Sequence, residues 1–292
     1  MSENPRPKGT PRFPDGPAPD PTGSRFERRI RSFTPRRSRV TTAQGDALRR
    51  LWPQWGLDID GKEVLDLDAL FAADEQPGTA PVVLEIGFGM GEATAQMAAA
   101  DPGTRILAVD VHTPGQGNLL NLAERNGLSN VRVANGDAVI LLTEMLAPEA
   151  LDGVRVYFPD PWPKARHNKR RLIQPEFLSL LAPRLKPGGL LHCATDWEPY
   201  AEHMLEVLTA HPDFENVQED GGYAPRPDFR PQTRFEGQGL RKGHVVRDLL
   251  FRRAATLTEQ PEPAPDQPRE QPQGQPEEQP KEPAVPEAPS GS

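Results

Sequence analysis

The stretch over 82–91, Val-Val-Leu-Glu-Ile-Gly-Phe-Gly-Met-Gly, restricts the possible folds of this chain most strongly. Its first half, Val82-Val83-Leu84-Glu85-Ile86, is short, mostly apolar and stops at a glycine. That pattern predicts a strand buried on both faces of a parallel sheet. Gly87, Gly89 and Gly91 then alternate in a tight loop, and an alanine-rich segment over 92–100 predicts a helix. Strand, glycine loop and helix form the ligand-binding unit of a doubly wound sheet. Glycine is required where backbone approaches a ligand and a Cβ would intrude. A dinucleotide fingerprint asks for a small residue three positions after the second glycine, and Glu92 stands there instead. The alternative is a glycine-rich turn of any α/β domain.

The ends of the chain read differently. Residues 1–24 are rich in Pro and Gly, and residues 257–292 are nearly all Pro, Glu, Gln and Ala. Such segments bury too little apolar surface to offset the entropy of ordering, so both are expected to be disordered. Between them lie a basic arm over 25–40 and a folded domain over 41–256. The arm carries Arg25, Arg28, Arg29, Arg31, Arg36, Arg37 and Arg39, with Phe26 and Phe33 among them. Arginine suits phosphate and aromatic rings stack on bases, although a solvated charged segment has the same composition. The net charge of −8 argues against nucleic acid only when averaged, because the acids crowd the tail. The single cysteine, Cys193, excludes an internal disulfide and reads as a buried core thiol. No apolar run reaches membrane-spanning length and the N-terminus lacks a hydrophobic signal core. A cytoplasmic setting without membrane or metal is expected.

Further strands follow in alternation with helices. A helix over 41–51 is expected to end before Pro53. A strand over 105–110 ends in Asp110, where an acid accepts from ribose hydroxyls or caps a helix. A helix runs to about Asn126. A strand over 131–134 precedes Asp137, an adenine contact or a plain turn residue. Strands over 154–158 and 190–195 and helices over 174–182 and 199–208 complete the alternation, with terminal antiparallel strand within 239–251. The fold class is α/β, a doubly wound, mostly parallel sheet with helices on both faces.

The strand over 154–158 runs into Phe158-Pro159-Asp160-Pro161-Trp162-Pro163. Ligands bind at the carboxyl ends of such strands, and the prolines hold a carboxylate and an indole on stiff backbone. Lys164, Arg166, Lys169, Arg170 and Arg171 follow, with His167 and Asn168 among them. Cations concentrated beside a site of this kind point to a polyanionic substrate.

Residues 158–171 resemble the signature of the bacterial tRNA (guanine-N7)-methyltransferases. The resemblance extends through Glu85-Ile86-Gly87-Phe88-Gly89, Val111-His112-Thr113-Pro114-Gly115 and Ala194-Thr195-Asp196-Trp197-Glu198-Pro199-Tyr200-Ala201. It ends with Arg230-Pro231-Gln232-Thr233-Arg234-Phe235-Glu236 and Gly243-His244, and covers roughly 31–252. It implies the Rossmann-like class I methyltransferase fold and transfer of a methyl group from S-adenosyl-L-methionine to N7 of guanosine 46 of tRNA. Glu85, Asp110, Asp137 and Asp160 match the family's cofactor contacts, beside Gly87, Gly89 and Gly91. Asp160 also matches its catalytic aspartate. Lys164, Asp196, Thr233, Arg234, Phe235 and Glu236 match its substrate contacts. Arg166, His167, Asn168, Lys169, Arg170 and Arg171 match its RNA-interacting segment. Asp110 is one methylene shorter than the Glu of many members, Arg234 replaces a usual Lys, and Arg37-Ser38-Arg39 replaces a common glycine between basic residues.

Guanine N7 offers a lone pair and carries no proton, so catalysis needs alignment and electrostatics rather than a base. The extruded base stacks on Trp162 or Trp197, unless these rings only pack the core. Other readings are a methyltransferase acting on another RNA or on a protein, and a non-catalytic RNA-binding protein. The sequence leaves monomer and homodimer open.

Overall fold

A computed structural model describes residues 39–72, 79–233, 236–237, 243 and 245–257. The expected disordered ends, the arm up to Ser38, and Arg234, Phe235 and His244 lie outside the described residues.

Among the described residues the strands are β1 (Gly56–Asp58), β2 (Val82–Ile86), β3 (Arg105–Val109), β4 (Val131–Asn135), β5 (Leu151–Tyr157), β6 (Leu185–Thr195), β7 (Phe214–Asn216) and β8 (Arg247–Arg253). They form one sheet in the order β1-β4-β3-β2-β5-β6-β8-β7. All neighbours from β1 to β6 pair parallel, and β8 pairs antiparallel with both β6 and β7. The helices are α1 (Thr42–Trp55), α2 (Leu67–Ala72), α3 (Glu92–Ala100), α4 (Thr113–Asn126), α5 (Ala138–Ile140), α6 (Pro175–Leu181) and α7 (Glu198–Ala210). None of the described helices is long and apolar enough to cross a membrane.

The order of the strands fixes where a ligand can sit. From β2 the chain winds outward to β3 and β4, then returns to β2's other side for β5 and β6. A crevice therefore opens past the carboxyl ends of β2 and β5, where the winding reverses. Helices cover the two faces unequally. Leu84, Val154, Leu191, Cys193 and Leu249 pack against α6 and α7 on one face. On the other face Ile106, Ala108, Val131 and Val133 pack against α1, α3 and α4. That second face turns polar over β2, β5, β6 and β8, where Glu85, Arg155, His192 and Asp248 occur in a row.

Three expectations need correction. Pro53 lies inside α1, not past its end; α1 starts in a capping box between Thr41 and Gln44 and closes with the Gly56 N–H on the Trp52 carbonyl. Proline in the last turn removes one ladder bond without ending the helix. The short strands β1 and β7 were not expected, and they form the two edges of the sheet. Strand β6 begins at Leu185, so Pro187, Gly188 and Gly189 lie within it, opposite a register shift between Leu151 and Gly153 of β5. Cys193 is buried and its thiol is pushed up to about 12 by burial, in keeping with a core role.

Candidate active site

The crevice begins at the glycine loop. Gly87 and Gly89 have positive φ of 81° and 61°, and a Cβ added at either meets nothing within 4 Å, so the loop faces open space. Gly115 explains how close the walls are: a Cβ there would lie 1.7 Å from the Gly89 carbonyl oxygen, so α4 starts directly against the loop. Glu85 is buried near the end of β2, and its Oε2 has no hydrogen-bond partner. Burial pushes its carboxyl up to about 7, partly opposed by the charge of Arg155. Arg155 stands opposite Glu85 on β5, and its Nη1 is likewise buried without a partner. An unpaired buried polar atom is costly, so this pair reads as half of a ligand site.

Asp110 follows β3. Its Oδ2 accepts from the Gly89 N–H at 2.9 Å and its Oδ1 from the His112 N–H at 2.9 Å. Burial raises its pKa, and the Gly89 and His112 amides pull it back. The Gln116 side-chain amide donates to the Asp110 carbonyl at 2.6 Å and to Asn135 Oδ1 at 3.0 Å, joining the ends of β3 and β4. Asp137 caps α5, its Oδ1 accepting from the Val139 N–H at 3.0 Å. Neither sequence reading for Asp137 named this cap, which leaves the carboxylate at the carboxyl end of β4.

After β5 the proline loop is bent at both ends. Phe158 and Trp162 hold φ of 51° and 46°, conformations that non-glycine residues seldom adopt and that concentrate at functional loops. The Phe158 N–H donates to the Ala194 carbonyl at 2.7 Å, and Asp160 is half-buried between the bends. Asp196 follows β6 at the mouth of α7, also half-buried. Trp197 packs against the core, whereas Trp162 lies near the cations, with the Arg170 guanidinium 5.1 Å from its ring centroid and the His167 ring edge-on at 5.9 Å.

The basic stretch forms a 3₁₀ helix, Ala165–Arg170. Lys164, Arg166, Lys169 and Arg170 are exposed, and His167 and Asn168 partly so. Partial burial and the charges of Arg170, Arg166, Lys164 and Lys169 lower the His167 pKa. Arg171 differs: it is 5% exposed, donates to the Pro161 carbonyl at 3.0 Å and the Pro199 carbonyl at 3.3 Å, and lies 4.8 Å from the Tyr200 ring centroid. The side chain grouped by sequence with the RNA-facing cations instead ties the Asp160 loop to the start of α7. Arg171→Ala should therefore destabilise the fold by about 2–4 kcal/mol, the worth of two charge-assisted hydrogen bonds and a cation–π contact. Urea unfolding measures this; wild-type stability with a reduced salt slope of tRNA binding would return Arg171 to the RNA surface.

The third wall is the loop over 224–233, with Glu236 and Gly237 beyond it. Thr233 is partly buried and accepts through Oγ1 from the Glu236 N–H at 3.1 Å. Glu236, expected at the substrate, is 3% exposed and binds Arg230 through both carboxylate oxygens, at 2.7 and 3.2 Å. Phe229, 46% exposed, lies edge-on to His192 and 5.5 Å from the Arg155 guanidinium. Sequence reasoning assigned no role to Arg155, Phe229, His192 or Asp248. The available signal was a charged or polar residue inside each apolar strand: Val-Arg-Val on β5 and Leu-His-Cys on β6.

A family model described as "Putative methyltransferase" matches residues 79–249, more than half of the chain. The tRNA (guanine-N(7)-)-methyltransferase of Streptomyces avermitilis is 77% identical over 248 residues, which cover 85% of this chain and 83% of that protein. Its namesake from Streptomyces coelicolor is 72% identical over 261 residues, covering 89% and 93%. The one from Burkholderia vietnamiensis is 55% identical over 228 residues, covering 78% and 86%. With these similarities spanning the glycine loop, the proline loop and the basic helix alike, the chain belongs to the tRNA (guanine-N(7)-)-methyltransferase family.

Proposed function

We propose that this chain transfers a methyl group from S-adenosyl-L-methionine to N7 of guanosine 46 in the variable loop of tRNA, forming 7-methylguanosine. The observation that carries the reading is the Asp160 loop: it emerges beside the glycine loop at the reversal of the sheet and continues directly into four exposed cations. One end of the crevice thus suits a small charged cofactor and the other a polyanion.

The cofactor, when bound, supplies an electrophilic methyl on a sulfonium sulfur. The residues present fit it. Glu85 Oε2 lacks a partner that an ammonium group provides, Gly87 and Gly89 leave room for a ligand against the backbone, and Asp110 offers a carboxylate at the loop. Asp137 closes the adenine end of the same crevice.

Asp160 and Asp196 accept from N1–H and the N2 amino group of the target guanine. They hold N7 in line and offset the positive charge that grows on the purine as N7 is alkylated. Trp162 offers the extruded base a stacking face. Lys164, Arg166, Lys169 and Arg170 take tRNA phosphates, joined by the arginines over 25–39, and Thr233 belongs to the substrate wall. The reaction belongs to the cytoplasm, where tRNA is found. Incubation of the full chain with labelled cofactor and unmodified tRNA, followed by mapping of the label, tests the reading. Label at N7 of guanosine 46 supports it; label in another RNA or in protein overturns it.

Glu85 supplies a second check. Because its folded pKa is raised from 4.5 to about 7, the ligand-free fold binds this proton more tightly than the unfolded chain does. Its contribution is then destabilising and grows as pH climbs through that interval. A bound ammonium lowers the pKa again, so cofactor binding should expel a proton and tighten with rising pH over the same window. Calorimetry in buffers of different ionisation enthalpy measures the release. Glu85→Gln should abolish the proton release and remove the share of the pH slope of stability that Glu85 contributes; a persistent release in that variant would exclude Glu85 as its source.

A further inference from the structure

We infer that Arg230 and Asp248, acting through His192 and Tyr157, are positioning residues that hold the loop over 224–233 in register with the Asp160 loop during methyl transfer. The inference rests on the methyl-transfer reading above and deepens it.

The groups form one buried chain. The Tyr157 hydroxyl lies 2.9 Å from His192 Nδ1, and His192 Nε2 lies 2.7 Å from Asp248 Oδ1. Arg230 Nη2 donates to Asp248 Oδ2 at 2.9 Å, and Arg230 Nη1 to Glu236 Oε2 at 2.7 Å. Arg230, His192, Asp248 and Glu236 are 1%, 2%, 2% and 3% exposed. The proton order follows from the partners. Asp248 is an acceptor, so His192 Nε2 carries the proton, Nδ1 accepts, and the Tyr157 hydroxyl donates. Each link has a single direction.

The chain ties two loops together. Asp248 holds the entry of the 224–233 loop by main chain, accepting from the Ala224 N–H at 2.8 Å, and its turn by side chain through Arg230. Arg230 holds the far end through Glu236. At the other end of the chain Tyr157 immediately precedes Phe158, the strained root of the Asp160 loop. The Arg230 guanidinium lies 5.9 Å from the ring centroids of both Tyr157 and Phe158. A buried ion pair stabilises a fold no better than well-packed apolar side chains, but its forked geometry admits one arrangement only. Here that arrangement sets the substrate wall, with Thr233, against the catalytic carboxylate's loop.

The test uses the full chain carrying Asp248→Asn, Arg230→Lys or Tyr157→Phe. Three quantities are read: steady-state methylation of unmodified tRNA, calorimetric cofactor affinity, and hydrogen exchange at the amides of Arg230 and Gly237, which donate to Pro227 and Thr233 carbonyls. Asp248→Asn and Arg230→Lys should each lower kcat by about tenfold or more, since small misplacements of reacting groups are costly, with cofactor affinity changed by less than about twofold. Exchange at both amides should quicken in parallel. Tyr157→Phe removes one hydroxyl at constant shape and should show the same pattern in milder form, which keeps the test decisive if a charged variant fails to fold. Wild-type kcat in the folded variants would overturn the inference, whether or not the loop exchanges faster. A wild-type chain that leaves tRNA unmethylated would instead sink the functional reading, and is told apart by that control alone.

Discussion

Replacing Asp160 with alanine is expected to lower methyl transfer by about 10²–10³-fold, the usual cost of removing one preorganised electrostatic partner from a developing charge. The fold should survive, because Asp160 is half-buried in a loop held by other residues: the Phe158 N–H on Ala194, and Arg171 on the Pro161 carbonyl. The attacking nitrogen needs no base, so the loss measures charge stabilisation and alignment rather than proton removal. That distinction is testable. If Asp160 took a proton in the rate-limiting step, methyl transfer would slow in heavy water; as an electrostatic partner it should leave the single-turnover rate there nearly unchanged. Single-turnover measurement with saturating tRNA and cofactor separates the chemical step from binding. Near-normal turnover in Asp160→Ala under those conditions would remove it from the catalytic role and leave Asp196 as the carboxylate assigned to the guanine.

The sequence made the central sheet legible because its strands are buried on both faces. Strand β3, Arg-Ile-Leu-Ala-Val, is buried throughout and reads as an apolar run, and β2 with its glycine loop reads the same way. Strands β1 and β7 have three residues each, too few to carry a period. Strand β6 was read short because its Pro-Gly-Gly looks like a stop, and only the register shift against β5 lets the pairing continue through it. The site was legible in residue type but not in direction. Arg170 and Arg171 are adjacent cations, yet one faces solvent and the other is buried against backbone carbonyls and Tyr200. Glu236 lies in a matched motif, yet its carboxylate faces Arg230. Which way a charged side chain points depends on partners far along the chain, Pro199 for Arg171 and Asp248 for Arg230, and no local pattern encodes them.

Replacing Lys164, Arg166, Lys169 and Arg170 together with alanine is expected to weaken tRNA binding by about 10²-fold at physiological salt and flatten its salt dependence by about three to four in log–log slope. All four side chains are exposed on one short helix and its N-cap residue, so they can reach neighbouring phosphates at once. Each phosphate neutralised releases condensed counterions, which is why the slope counts contacts while affinity alone does not. Cofactor affinity should stay unchanged, because Glu85, Asp110 and the glycine loop are built on other strands. The residual slope belongs to the arginines over 25–39, and deleting residues 1–39 should flatten it further. His167 adds a pH signature. Partial burial and the four neighbouring cations hold its pKa below the ordinary imidazole value, which favours the neutral form. An approaching phosphate raises that pKa, so binding should take up a proton and tighten as pH falls toward 6. In the four-alanine variant the repulsion is gone, and the free His167 should titrate higher, as its imidazole NMR shifts would record. Filter binding across a salt series decides the main point: a slope the four substitutions leave untouched would place the phosphate contacts elsewhere on the molecule.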